Sequence, residues 1–250
     1  MSRYINPYTD FGFKKLFGEE ANNDLLIDFL NTLLPEKHQI KTLKFRNPKH
    51  LGATPGSRRA VFDVFCEAQS GEQFIVEMQK EDQAFFKDRS LYYVAHPIRE
   101  QGQRGKALET RQRWNYELKT VYFIGILDFV YDKNEHDPVL IREVSLKDQH
   151  GKEFYEKLQL IYIQMPLFHL KENELETRRD KWLYFLKNLP GLGHISTIMK
   201  EKVFKKAFLT AKVATMSQTE RDLYDQELND YLTYWATIET AKKKGFTKWY

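Results

Sequence analysis

Between Val61 and Gln79 two runs of β-forming residues meet across a short polar turn, and their alternation leaves few ways to pair them. Val61 to Ala68 reads as one strand and Phe74 to Gln79 as its partner. Gln69-Ser70-Gly71 serves as a three-residue loop, with Gly71 at the positive φ that closes a bulged turn. The pairing then places Phe62 opposite Met78, Val64 opposite Val76 and Cys66 opposite Phe74, a wholly apolar face. On the other face Asp63 stands opposite Glu77, Val61 opposite Gln79 and Phe65 opposite Ile75. A slip of one residue would mix the two faces, so the apolar face selects this register.

The register has an electrostatic consequence. Opposed carboxylates have Cβ atoms about 5 Å apart. At an effective dielectric of about 20 they repel by about 3 kcal/mol. A divalent cation reverses the sign, because both acids become ligands of a hard ion that prefers oxygen. Gln79 projects from the same face as Glu77 and brings an amide able to hold a water or a phosphate oxygen. Polar residues on an exposed hairpin are ordinarily just solvated. Here Val61, Phe65 and Ile75 share the face, which is expected to be covered, and covered acids need a partner.

Around this hairpin the chain reads as α/β. Thr9 or Asp10 caps a short helix that Gly18 closes in a left-handed conformation. A second helix begins at Asn22 or Asn23, with Leu25, Leu26, Phe29, Leu30 and Leu33 on one face, and stops at Pro35. Ile40 to Phe45 is a short strand, and residues 47 to 59 form a loop. From Asp82 to about Arg99 the pattern is helical, with Pro97 kinking or ending it. Strand-like stretches follow at Val121 to Val130, Val139 to Val144 and Leu158 to Met165. Beyond Pro166 only helical periods remain, at 173 to 189, 195 to 214 and 217 to 243. The expected division is 1–170 and 171–250.

Several function classes lack support. Seven scattered histidines without metal-ligand spacing, and a single cysteine, Cys66, argue against zinc and exclude an internal disulfide. No phosphate-binding loop and no nucleophile elbow is present. No apolar run approaches the ~20 residues of a membrane span, and the N-terminus lacks a signal-peptide pattern. The expectation is a cytoplasmic protein with no membrane partner. A net charge of +4 permits nucleic-acid binding without demanding it. Residues 37 to 59 carry Lys37, Lys41, Lys44, Arg46, Lys49, Arg58 and Arg59 with no acid among them, and residues 99 to 113 are also basic.

The ordered set of motifs resembles the PD-(D/E)XK nuclease superfamily, and most closely its bacterial recombination-promoting nuclease/transposase branch. The stretches that carry the resemblance are Asp10-Phe11-Gly12-Phe13-Lys14-Lys15-Leu16-Phe17-Gly18, Phe62-Asp63-Val64, Gly71 to Gln79, Asp88-Arg89-Ser90-Leu91-Tyr92-Tyr93 and Val121 to Phe129. It implies a restriction-endonuclease-like fold, a mixed central sheet flanked by helices, followed by an all-helical C-terminal region. The implied activity is Mg²⁺-dependent cleavage of DNA phosphodiesters, with Mn²⁺ as a substitute, in recombination, transposition or phage defence. Asp63 and Glu77 correspond to the metal-binding acids, and Asp10 to a helical acid that assists the metal. Asp63, Glu77 and Gln79 form the implied catalytic set, with Gln79 standing where most of the superfamily has lysine. Lys80 points to the opposite face and is no replacement for it. An acid common in this branch is replaced by Ala68. The helix from Asp82 is implied to pack beside the hairpin, with Arg89 and Lys87 toward DNA phosphates, joined by Arg58 and Arg59 of the basic loop. Tyr92 and Tyr93 read as core. The C-terminal helices offer faces for pairing with a second copy. The competing reading is a non-catalytic nuclease-like module that binds DNA or protein.

Overall fold

The computed structural model describes residues 2–46, 62–107, 116–131, 138–194 and 198–245, with backbone alone over 103–107. Its chain forms two compact units, Pro35–Phe168 and the pair of segments Met1–Leu34 and His169–Tyr250.

The first unit is built on a six-stranded sheet. In chain order the strands are β1 (Leu43–Phe45), β2 (Val64–Ala68), β3 (Gln73–Gln79), β4 (Val121–Leu127), β5 (Ile141–Lys147) and β6 (Glu153–Gln164), arranged β1-β2-β3-β4-β6-β5. The β3–β4 and β4–β6 pairs are parallel and the others antiparallel, so the sheet is mixed. β4 reads Val-Tyr-Phe-Ile-Gly-Ile-Leu without a charge because a central parallel strand is buried on both faces.

The hairpin pairs as its alternation requires, with Val64 opposite Val76, Phe65 opposite Ile75 and Cys66 opposite Phe74. Gly71 has φ +94°, and the Ala68 N–H donates to the Glu72 carbonyl at 2.9 Å to close the loop. One part of the expected strand is absent. Pairing begins only at Val64, Asp63 lies at a bend, and Phe62 leaves the face predicted for it. The Phe62 ring instead packs with Phe65 and with Tyr93, at centroid distances of 5.6 and 4.9 Å.

Between β3 and β4 the chain crosses over through a helix at Phe86–Ala107, which the expected helix from Asp82 understates at its far end. Phe86, Ser90, Val94 and Pro97 recur at helical spacing and are buried. Pro97 lies within the helix rather than ending it. Its missing N–H forfeits one hydrogen bond, and its ring is buried. The core beneath the helix holds Phe62, Phe65, Ile75, Phe86, Val94, Val121, Phe123, Leu127 and Leu160. Side chains of this size stabilise by about 1.5–3 kcal/mol each on burial. Polar contacts fix the helix lengthwise. Ser90 Oγ and the Tyr162 hydroxyl are 2.7 Å apart, Gln101 bonds Gln73 and Lys119, and Arg46 bridges Glu100 and Glu67.

The second unit is helical. Its N-terminal segment carries α1 (Asp10–Phe17) and α2 (Asn23–Asn31); counting the crossover helix as α3, the C-terminal segment carries α4 (Arg178–Asn188), α5 (Lys202–Thr210) and α6 (Gln218–Lys243). Phe13, Phe17, Phe29, Trp182, Phe185, Phe204 and Phe208 are all fully buried and form an aromatic core shared by both segments. Asp28 accepts from the Trp182 indole N–H and from Arg178, each at 2.7 Å. The expected division placed the first helices with the sheet, whereas these contacts group residues 1–34 with the C-terminal helices. Aromatic periodicity marks which face is buried but not against which element. Thr9 caps α1 by accepting the Gly12 N–H, and Gly18 closes it in a right-handed conformation with φ −101°, not the left-handed one expected. No described helix is long and apolar enough to cross a membrane.

Candidate active site

The site forms where the bend at Asp63 meets the C-terminal end of β3. Parallel strands β3 and β4 place Glu77 beside Gly125, so no neighbouring side chain on β4 crowds the carboxylate. The Phe123 and Tyr162 rings close over that glycine; a Cβ there would lie 3.1 and 3.2 Å from them. Glu77 is only 7% exposed and Gln79 6%. Asp63 is half-buried.

Asp63 and Glu77 are joined through backbone. The Asp63 N–H donates to Glu77 Oε1 at 3.1 Å, and Asp63 Oδ2 accepts the Met78 N–H at 2.8 Å. These bonds hold both acids at one spot although Asp63 has left the strand. At the bend each acid accepts a backbone N–H of the facing segment.

α3 supplies the rest of the site. Gln79 accepts a hydrogen bond from Arg89 Nη2 through its amide oxygen and donates from Nε2 to the Glu81 carbonyl at 2.8 Å. Arg89 also donates through Nη1 to Gln83 Oε1 at 2.7 Å, and its guanidinium lies 5.7 Å from the Tyr93 ring centre. Tyr93 is half-buried in the site. Burial pushes its hydroxyl pKa up, the Glu77 charge adds to that and Asp63 adds further, while Arg89 acts in the opposite direction.

Of the residues singled out from sequence, Asp63, Glu77, Gln79 and Arg89 come together here. Lys87, on the same helix, lies over the Tyr131 ring at 4.9 Å. Asp10 is the first residue of α1 in the helical unit and pairs with Lys14 at 2.8 Å. Arg58 and Arg59 lie outside the described residues. Two members of the basic stretch have structural partners, Lys37 with Glu156 at 2.8 Å and Arg46 with Glu67 and Glu100. Tyr93 and Gln83 were not anticipated as site residues. Tyr93 follows Arg89 by four positions, so the two share a helix face, a spacing that could have flagged it.

Among the described residues no group of three or more His, Cys, Asp or Glu is arranged to hold a metal. The donors the described site offers are therefore the carboxylates of Asp63 and Glu77. That does not suit a structural zinc, which is held by four cysteine or histidine ligands. It does suit magnesium, which keeps several waters and is bound through one or two carboxylates with substrate phosphate completing its shell.

A family model described as PD-(D/E)XK nuclease family transposase matches residues 7–241. The chain belongs to this family. No curated protein and no solved structure was found to match it. As a PD-(D/E)XK nuclease family transposase it has a nuclease- or transposase-related function, for which DNA is the substrate class the family implies. Such nucleases generally use divalent metals, in keeping with the oxygen donors of Asp63 and Glu77.

Proposed function

We propose that this chain is a Mg²⁺-dependent DNA endonuclease, with Mn²⁺ as a substitute, that hydrolyses phosphodiester bonds in recombination or transposition. The observation that supports the reading is the reciprocal backbone hydrogen bonding that brings Asp63, at its bend, together with Glu77 on β3. Each acid accepts a backbone N–H that fixes it beside the other, at the end of a strand that α3 flanks.

Asp63 and Glu77 would hold the ion. When bound, a divalent cation supplies positive charge at the scissile phosphate and a more acidic water. The protein's part is to hold both carboxylates in orientation, which the N–H groups of Asp63 and Met78 do. Hydrolysis joins one water oxygen to phosphorus and breaks one P–O ester bond; one water proton ends on the released hydroxyl and the other passes to solvent. Lys87, Arg58 and Arg59 are assigned to phosphates flanking the scissile one. The test is nicking of supercoiled plasmid by the full chain with Mg²⁺, Mn²⁺, Ca²⁺ or chelator. Nicking with Mg²⁺ and none with chelator is the expected result, and equal inactivity under all conditions would overturn it.

A further inference from the structure

Arg89 is held in an unusual way for a half-buried arginine. The groups that hold it are neutral, namely the amide oxygens of Gln79 and Gln83 and the face of Tyr93. Neutral acceptors fix a guanidinium without cancelling its charge, whereas a carboxylate would do both. The two bonds use two of its five N–H donors. Gln79 stands two residues beyond Glu77 on the same face of β3, so the guanidinium it holds lies at the edge of the carboxylate pair. The Tyr93 ring packs on Phe62, next to Asp63, at 4.9 Å between centroids and lies 5.7 Å from the Arg89 guanidinium, so it links the arginine to the carboxylate pair. The Gln79 amide is itself fixed in orientation, because its nitrogen donates to the Glu81 carbonyl and its oxygen is thereby turned to Arg89.

An anionic phosphodiester approaching two carboxylates needs positive charge on its other side, and this guanidinium is built to give it. We propose that Arg89 is a catalytic residue that contacts the scissile phosphate, and that Gln79 is its positioning residue, holding the guanidinium through the amide oxygen. The proposal rests on the nuclease reading above for the identity of the substrate. It gives Gln79 a task other than orienting water. An amide suits it, since a carboxylate at 79 would neutralise Arg89 and a lysine would repel it.

The test uses the full chain and two readouts. One is plasmid nicking with Mg²⁺. The other is binding to a labelled DNA duplex in Ca²⁺ across a series of KCl concentrations. Arg89→Ala is expected to slow nicking by about 100-fold or more, the scale for loss of one preorganised charge-stabilising donor. It should also reduce the slope of log affinity against log salt by about one, as loss of one phosphate contact does. Gln79→Glu should reproduce the loss of slope with Arg89 still present. Arg89→Lys should keep the slope. Adding Gln79→Lys to Arg89→Ala places an ammonium within one hydrogen bond of the lost charge, and nicking should recover by about tenfold or more.

An unchanged slope in Arg89→Ala with a lowered melting temperature would show that Arg89 merely pins α3 to β3, and would overturn the proposal. Nicking by Arg89→Ala within about threefold of wild type would do the same. No recovery in the double variant would overturn the placement of the charge beside Gln79. A wild type that never nicks, yet whose salt slope falls in Arg89→Ala, would refute the nuclease reading while supporting the phosphate contact.

Discussion

The Asp63 N–H points to the Glu77 carboxylate at 3.1 Å, and the Asp63 carboxylate takes the N–H of Met78, the residue after Glu77, at 2.8 Å. The two acids are thus locked to each other's backbone. This reciprocal arrangement makes their charge and their hydrogen-bonding role separable by mutation.

Asp63→Asn keeps an oxygen acceptor for the Met78 N–H but removes the charge. The folded protein should survive, with a melting temperature without metal close to that of wild type. Wild type should gain stability from Mg²⁺ by mass action, about 2.7 kcal/mol at one hundred times the dissociation constant. The variant should gain little and should not nick DNA. Thermal scans with and without Mg²⁺ measure this, and equal Mg²⁺ stabilisation of both proteins would rule Asp63 out as a ligand.

Gly125→Ala tests the packing beside Glu77. The new Cβ would sit 3.1 Å from the Phe123 ring and 3.2 Å from the Tyr162 ring, both enclosed in the core. Overpacking of this kind costs about 1–3 kcal/mol. Urea denaturation should show that loss, and a variant as stable as wild type would mean the rings move aside freely.

Ser90→Ala tests how α3 is pinned. Ser90 is 1% exposed and its hydroxyl meets that of Tyr162 at 2.7 Å, so removing it leaves the phenol buried without this partner. A loss of about 1–3 kcal/mol is expected. The Ser90→Ala, Tyr162→Phe double variant should recover part of it. A double variant that loses the sum of both single effects would show the hydroxyls to be independent.

The helical unit carries a pH signature. Lys15 bonds Glu220, and with the Ser217 N–H and hydroxyl it lowers the Glu220 pKa to about 2. A carboxyl depressed in the folded state stabilises above its unfolded pKa, near 4.3, and the contribution disappears as pH falls through the folded value. The melting-temperature gap between wild type and Glu220→Gln should therefore be full at pH 7 and shrink between about pH 4 and pH 2. A gap constant over that range would place the effect in packing rather than charge.

Affinity for DNA should fall as salt rises, because phosphate contacts release counterions. Arg46 is committed to Glu67 and Glu100, so Arg46→Ala should lower the melting temperature and leave the salt slope unchanged. Joint replacement of Arg58 and Arg59 by alanine should reduce that slope by about two. The reverse pattern would assign the phosphate contacts to Arg46 and not to the loop.

The sequence by itself determined the hairpin register, because period-two alternation allows only one pairing that keeps Phe74, Val76, Val64 and Cys66 on one face. It also determined that Glu77 and Gln79 share the opposite face, and that β4 lies at the centre of a sheet, where an apolar run without charges belongs. It did not determine the bend at Asp63, where the carboxylate takes the Met78 N–H and the backbone N–H turns to Glu77. Nor did it determine that Phe62 turns toward Tyr93, or that Arg89 reaches Gln79 across ten residues of chain. Those contacts depend on where α3 lies over the sheet, which is fixed by Ser90 on Tyr162 and Gln101 on Gln73. The grouping of residues 1–34 with the C-terminal helices was likewise a tertiary outcome. Local patterns specify which face of a helix is buried, and only long-range packing selects the element it is buried against.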